Sequence, residues 1–432
     1  MPIARASAGR FSTAPVFPLA VHASGRYLVD ASGRPFLIHG DTAWSLVGQL
    51  TDAEIDQYVA DRYARGVTAI LFSAPEAYYT SQTPAYNNVD GVAPFGTMSP
   101  VDWTNPTEAY WARVDRVVNQ CKNRGIACFI NPCYLGALDA DGWRLSVAAT
   151  SAGDFQTYGA WLANRYTQGN VVWHLGGDYQ GDNSANVTKQ WNIVTGMRTV
   201  RTTDVITAHG YNEAYSYWSG QTGWNLNSTY FSEEDYQYVR GPVAYARSGP
   251  IPFFHLEGRY EQEPATPVTA AALRMQTYAS YLSGSCGFFF GNNPIWHFEC
   301  DGARAPFTYT GTWESNLNST GSQQHALVKS LFAAFAWWKL VPKQDASLVS
   351  SSLSTTTTRL YPALASDGTF ALVYVPSSQT VTLVMTAFSI SSVRVRLYDP
   401  TTGNYSTVGT YANTGTQGIA TGGERVIVCD AP

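Results

Sequence analysis

Between residues 36 and 291 one pattern recurs along the chain. A short apolar run ends in polar or glycine residues, a loop follows, and then comes a segment with apolar positions at helical spacing. The runs at 35–41, 67–74, 126–132, 171–178, 205–210, 229–235, 251–258 and 286–291 read as eight strands. Helices are predicted after the Thr51 cap, with Ile55, Tyr58, Val59 and Tyr63 on one face, and over 106–123, 152–167, 186–200, 267–282 and 323–339. Eight strands alternating with helices predict an α/β fold, a closed (β/α)8 TIM barrel over 35–342. The alternative is an open doubly wound sheet, but no G-x-G-x-x-G phosphate loop follows the first run.

The pattern changes after Pro342. Ser, Thr and Val dominate, and alternating runs at 369–376, 380–387, 392–400 and 424–430 are separated by DG, TG and GG turns. We expect a C-terminal all-β sandwich over 343–432, an accessory that buttresses the barrel. Residues 1–34 form an N-terminal extension in which HASGRYLVDASGRP reads as a hairpin.

A chain of 432 residues, 45% apolar, has room for this second domain. Its net charge of −5, its five lysines and the lack of like-charge runs argue against nucleic acid or an anionic membrane as a partner, and leave a neutral polar ligand. No apolar run is long enough to span a bilayer. The first 20 residues carry Arg5 and Arg10 but no apolar signal core, so either a leader has been removed or none exists; the reading leans towards a secreted or periplasmic protein. The six cysteines lack the paired spacing of a zinc site or a redox CxxC. Cys286 and Cys300 are placed to close one loop, while Cys128 reads as a buried thiol. No cofactor or metal is expected. Aromatic residues make up 14% of the chain, with 13 Trp and 27 Tyr, many in Gly/Asn-rich segments. Stacking on sugar C–H faces and a rigid core are both open explanations.

Barrel enzymes work at the C-terminal ends of their strands. There, LGGD places Asp178 at the end of the fourth strand and HLEG places Glu257 at the end of the seventh. These strands face each other across a small barrel mouth, and two facing carboxyls are what glycoside hydrolysis needs. One protonates the leaving oxygen, and the other attacks the anomeric carbon or activates water. Side-chain alternation puts His255 on the Glu257 face one layer deeper, His174 beneath Asp178, and His39 with Asp41. Gly176, Gly177 and Gly258 leave room for a ligand or simply make tight strand ends. Asp41 is a candidate for hydrogen bonds to sugar hydroxyls, with a helix cap as the alternative. Trp44, Tyr179, His209 and Trp296 join the substrate-binding candidates, as do His255 and Glu76, the latter also readable as a loop anchor. Glu234 and Asp235 are further rim acids, Glu234 being a reserve nucleophile. His39, His174, His209 and His255 raise the alternative of a metal-dependent barrel hydrolase, which the spacing does not suit.

The segments GRYLVDASGRPFLIHGDTAW, VVWHLGGD and FFHLEGRYE resemble, in this order, those of the apiosidase-like glycoside hydrolases, glycoside hydrolase family 140. The resemblance implies a barrel with a C-terminal β-sandwich, removal of apiose from plant pectin side chains, Asp178 as acid/base and Glu257 as nucleophile. Related retaining barrels carry Asn-Glu at strand four where this chain has Gly177-Asp178, a shorter acid with a different reach. The expectation is therefore a retaining glycoside hydrolase acting on a furanoside or similar linkage in a poly- or oligosaccharide. Asp178 is raised in pKa, and Glu257 is held ionised by Arg259 or a tyrosine hydroxyl. The competing class is a non-catalytic carbohydrate-binding or adhesion protein, which would bind glycans without releasing product.

Overall fold

The computed structural model describes residues 14–178, 184–230, 237–263, 268–301, 304, 307–355 and 357–432. Strands β1 (Ile38–Thr42), β2 (Ala69–Ser73), β3 (Ala127–Asn131), β4 (Val171–Gly176), β5 (Ile206–His209), β6 (Asn227–Tyr230), β7 (Phe253–Glu257) and β8 (Gly287–Phe290) form one parallel sheet. Its order is β5-β4-β3-β2-β1-β8-β7-β6. The sheet closes where the Asn225 and Leu226 amides donate to the Ile206 carbonyl and the Ser228 hydroxyl donates to the Ala208 carbonyl. The molecule is thus a TIM-like barrel.

Alternation along the strands separates two apolar layers. Ile38, Leu71, Phe129, Phe254, Leu256 and Phe289 fill the lumen. There Phe129, Phe254 and Phe289, from three strands, meet with ring centroids 5.0–5.7 Å apart. Ile70, Phe72, Cys128, Ile130, Trp173 and Leu175 point outward into the helix-covered layer. The longer helices are α1 (Asp52–Ala64), α2 (Glu108–Lys122), α3 (Ala152–Arg165), α4 (Ser184–Val200), α5 (Gln237–Tyr245), α6 (Ala270–Leu282) and α7 (Thr320–Ala333). Thr51 opens α1 with a capping box shared with Glu54. On α1 the buried face ends in Arg62, while Tyr63 is 54% exposed, contrary to the sequence reading. Helix α5 contains Pro242 after Gly241, two breakers that hide it from pattern reading. The predicted helix over 323–339 stops at Ala333 and is followed by a separate turn of 3₁₀ helix, Trp337–Lys339. The sixth strand ends at Tyr230; 231–236 lie outside the described residues.

Before the barrel, short antiparallel strands at Ala20–Val21, Leu28–Val29 and Pro35–Phe36 make a three-stranded sheet rather than a hairpin alone. After it come β9 (Leu340–Pro342), β10 (Tyr361–Ala365), β11 (Ala371–Val375), β12 (Thr380–Val384), β13 (Ser392–Tyr398), β14 (Tyr405–Ala412), β15 (Thr416–Ala420) and β16 (Arg425–Asp430). Six of them form one antiparallel sheet in the order β9-β10-β11-β16-β13-β14, while β12 pairs with β15. This sheet therefore includes Leu340–Pro342, whose partners lie in β10. Both faces of the larger sheet are apolar. One packs on the β12/β15 pair through Val373, Val395, Ile427, Val381, Leu383 and Ile419. The other packs on α6 and α7, where Tyr374 stacks on Tyr278 at 4.8 Å and Arg274 pairs with Glu424. All six cysteines are buried free thiols, so Cys286 and Cys300 do not close a loop. Among the described residues, no helix is long and apolar enough to cross a membrane.

Candidate active site

Two local departures from regular structure bring the rim acids together. At the end of β4, Gly176 has φ +84, and a Cβ there would lie 2.1 Å from the His209 carbonyl oxygen. Only glycine permits this turn, which carries the chain over β5 and lifts Asp178 above the mouth. On β7 the pairing with β6 slips between His255 and Glu257. This bulge breaks the alternation. Phe254 and Leu256 lie in the lumen, His255 points outward, and Glu257 turns back into the mouth.

The resulting cleft has a volume of about 180 Å³ and is lined by Trp44, Glu76, Tyr134, Asp178, Glu257 and Trp296, among others. That is small beside the roughly 300–1,000 Å³ of a drug-sized site, and suits one or two small rings. The imidazole of His209 sits between the acids. Its Nε2 is 3.5 Å from Asp178 Oδ1 and 3.6 Å from Glu257 Oε2, and the nearest oxygens of the two acids lie within 4.8 Å of each other. The outer oxygens are held. The Tyr134 hydroxyl donates to Asp178 Oδ2 at 2.9 Å, and Tyr230 also donates to this carboxylate. Trp44 Nε1 donates at 3.0 Å to the Tyr260 hydroxyl, which in turn bonds Glu257. Asp178 Oδ1, Glu257 Oε2 and His209 Nε2 have no hydrogen-bond partner among the described residues. Buried polar atoms are rarely left so, and these three converge on one point.

Burial raises the pKa of Asp178, although its two tyrosine partners oppose this. Burial raises Glu257 well above the usual carboxylate range, and the adjacent Asp178 charge raises it further. The sequence reading raised Asp178 alone. Two carboxyls this close, with their facing oxygens buried, cannot both ionise easily, so the proton belongs to the pair. His209 is lowered to about 3 by burial and is a neutral imidazole. Arg259 does not hold Glu257; its charge acts on Glu263, and the Tyr260 hydroxyl serves Glu257 instead. Glu76, Asp178, Glu257 and Glu263 line the cleft, and no Lys or Arg does so among the described residues.

The other sequence candidates fall into three groups. Trp44, Trp296 and Glu76 line the cleft and His209 bridges its acids. Glu76 is engaged structurally: Oε1 accepts the amides of Ala77, Tyr78 and Tyr79, and Oε2 accepts from Ser45. Asp41 and His255 are corrected. Residues 38, 40 and 42 of β1 face inward, so Asp41 faces α1, where it accepts from Arg62 at 2.7 Å and Tyr58 at 2.7 Å. His255, outside the bulge, stacks on Phe288 at 5.4 Å and contacts Thr229 at 3.1 Å. Tyr179, Glu234 and Asp235 lie outside the described residues.

The rim histidines do not assemble as a metal-binding set. His39 stacks on His325 at 3.7 Å on the helix side, and His174 lies below His209. Among the described residues, only Asp178, His209 and Glu257 gather three possible ligand atoms. A Cβ on Gly177 would meet the Tyr134 ring, and one on Gly258, which lines the cleft, would meet Gln276. Sequence reasoning did not find Tyr134, Tyr230, Tyr260 and Glu263. The first two stand beyond β3 and at the end of β6, where the same search of strand ends extended to tyrosines would have reached them.

The family model described as the apiosidase-like catalytic domain matches residues 22–339, and that described as a putative collagen-binding domain of a collagenase matches 341–425. A solved structure described as a glycoside hydrolase superposes with a TM-score of 0.83 at 19% identity, over 96% of this chain and 97% of its own. A glycoside hydrolase family 5 protein from Bacteroides vulgatus ATCC 8482 superposes with a TM-score of 0.83 at 20% identity, over 96% and 93%. A glycoside hydrolase family 5 mannosidase from Rhizomucor miehei gives 0.55 at 10% identity, over 73% and 98%. At these identities the likeness is one of fold. No curated protein matches the chain in sequence.

Proposed function

Because the chain belongs to the apiosidase-like glycoside hydrolases through its barrel, we propose that it cleaves a furanoside or similar small-sugar linkage with retention of configuration. Asp178 gives its proton to the glycosidic oxygen as the C–O bond breaks, while Glu257 attacks the anomeric carbon from the opposite face. A glycosyl–Glu257 ester results. Asp178, now ionised, takes a proton from water, which attacks the same carbon and releases Glu257. The shared proton of the pair supplies the acid and the nucleophile in one site: when it rests on Asp178, Glu257 is charged and held by Tyr260. A cleft lined by acids, and by no cation among the described residues, also favours the positive charge that develops on the sugar, and a neutral sugar over an anionic one.

The observation that carries this reading is the approach of the two acids to within 4.8 Å. Retaining pairs stand about 5–5.5 Å apart, whereas inverting pairs need roughly 6.5–9.5 Å to admit a water. A panel of plant and bacterial polysaccharides identifies the substrate, and NMR of the first-formed product reads its anomer. The substrate's configuration is expected; the opposite anomer overturns retention. A slow fluorinated substrate should leave its sugar on the peptide containing Glu257, and labelling elsewhere overturns the nucleophile assignment.

A further inference from the structure

At the end of the barrel opposite the cleft lies a second cavity, of about 400 Å³. It opens where the N-terminal sheet, Leu37 before β1, Ser285 before β8 and the entry to the C-terminal domain meet. One wall is a run of four rings. His22 stacks on Tyr27 at 4.4 Å, Tyr27 sets its edge to Trp337 at 6.0 Å, and Trp337 meets Trp338 edge-on at 6.1 Å. Trp338 is 37% exposed. Tryptophan is usually well covered, so an exposed indole beside three further rings is an available stacking face.

The charge of this crevice is opposite to that of the cleft. Arg26 and Lys339 line it, and no carboxylate does so among the described residues. Lys339 is paired with Asp367 at 2.6 Å. Arg26 donates to the Tyr245 carbonyl and lies over the Tyr245 ring at 4.0 Å, and no carboxylate pairs with it among the described residues. A guanidinium presents five donors in a planar fork that fits a carboxylate, and the bond to the Tyr245 carbonyl uses one of them, so donors remain for a ligand.

We propose that this crevice is a second saccharide site, which holds a uronate-bearing stretch of glycan with a sugar face on Trp338 and its carboxylate on Arg26. It rests on the polymeric substrate of the preceding reading, and places the anchoring sugars and the cleaved bond at opposite ends of one barrel. The enzyme thereby grips an acidic chain while its acid-lined cleft acts on a neutral unit.

The test is affinity electrophoresis of the full-length Glu257→Gln protein in native gels containing alginate or polygalacturonate, with galactomannan as the neutral polymer. Retardation by the uronate polymers is expected, and Trp338→Ala and Arg26→Gln should each weaken it at least about tenfold, equal to about 1.4 kcal/mol. Trp338→Phe, which keeps a ring, should retain most of it. In the otherwise wild-type chain, Trp338→Ala should leave hydrolysis of a small aryl glycoside unchanged. No retardation, retardation by galactomannan alone, or equal retardation of the Trp338→Ala protein overturns the proposal. Because the gel needs no turnover, it reads the crevice even where the hydrolytic mechanism is wrong.

Discussion

Asp41 and Glu257 stand at the ends of two barrel strands, and both are withdrawn from water, yet they are built for opposite purposes. Asp41 receives a guanidinium from Arg62 and a hydroxyl from Tyr58, and its partners also tie α1 to the segment before α7 through the bond from Arg62 to the Leu317 carbonyl. Glu257 receives one tyrosine hydroxyl and otherwise faces Asp178 and a neutral imidazole. A buried charge that is fully paired is a fastener. A buried acid left with an unsatisfied oxygen and a second acid sharing its proton is held ready for something that binds later.

The sharpest way to break this contrast is to remove each acid's charge. Glu257→Gln should lower kcat by roughly 10⁴-fold or more, and Asp178→Asn by about 10²–10⁴-fold, measured as sugar released from the identified substrate. Full activity in the first variant would sink the assignment. Arg62→Ala leaves Asp41 buried without its cation, and should cost about 3–5 kcal/mol of stability in denaturant titration. The double change Asp41→Asn with Arg62→Met should recover much of this, and an Arg62→Ala protein as stable as wild type would show that the pair holds nothing together.

Smaller effects sharpen the comparison. The hydroxyls of Tyr134 and Tyr230 favour ionised Asp178. Tyr134→Phe or Tyr230→Phe should therefore raise its pKa and move the alkaline limb of the pH–rate profile upward, by about one unit. A limb that stays in place would dissociate these tyrosines from the acid. The smallest effect concerns stability and pH. Glu257 has a folded-state pKa raised above its unfolded value of about 4.3, so the folded protein binds more protons across that interval and loses stability as pH rises through it. Glu257→Gln should accordingly melt a few degrees above wild type at neutral pH, with the gap closing towards pH 4. A variant that melts lower at neutral pH would mean that Glu257 is a fastener like Asp41.

The C-terminal domain extends the same argument to a larger scale. Its sheet shares an apolar layer with α6 and α7, sealed by the Arg274–Glu424 pair. Its removal should expose that layer and destabilise the barrel more than it alters sugar preference, and a soluble, fully active isolated barrel would contradict this.

The alternation of strands and helices, the change of texture after Pro342, and the placement of Asp178 and Glu257 at strand ends were all readable along the chain. Each rests on a local periodicity, two for strands and near 3.6 for helices, and a local pattern survives without knowledge of the fold. What the tertiary structure decided was orientation and company. A one-residue bulge turned Glu257 into the mouth and left His255 outside it, reversing the face that strict alternation assigned. Asp41 became a fastener because Arg62, one helix later, was there to meet it. Tyr134 and Tyr230 reach Asp178 from beyond β3 and from the end of β6, and Trp44, after β1, reaches the tyrosine that bonds Glu257. Such meetings depend on distances between residues far apart in sequence, which only the closed barrel sets.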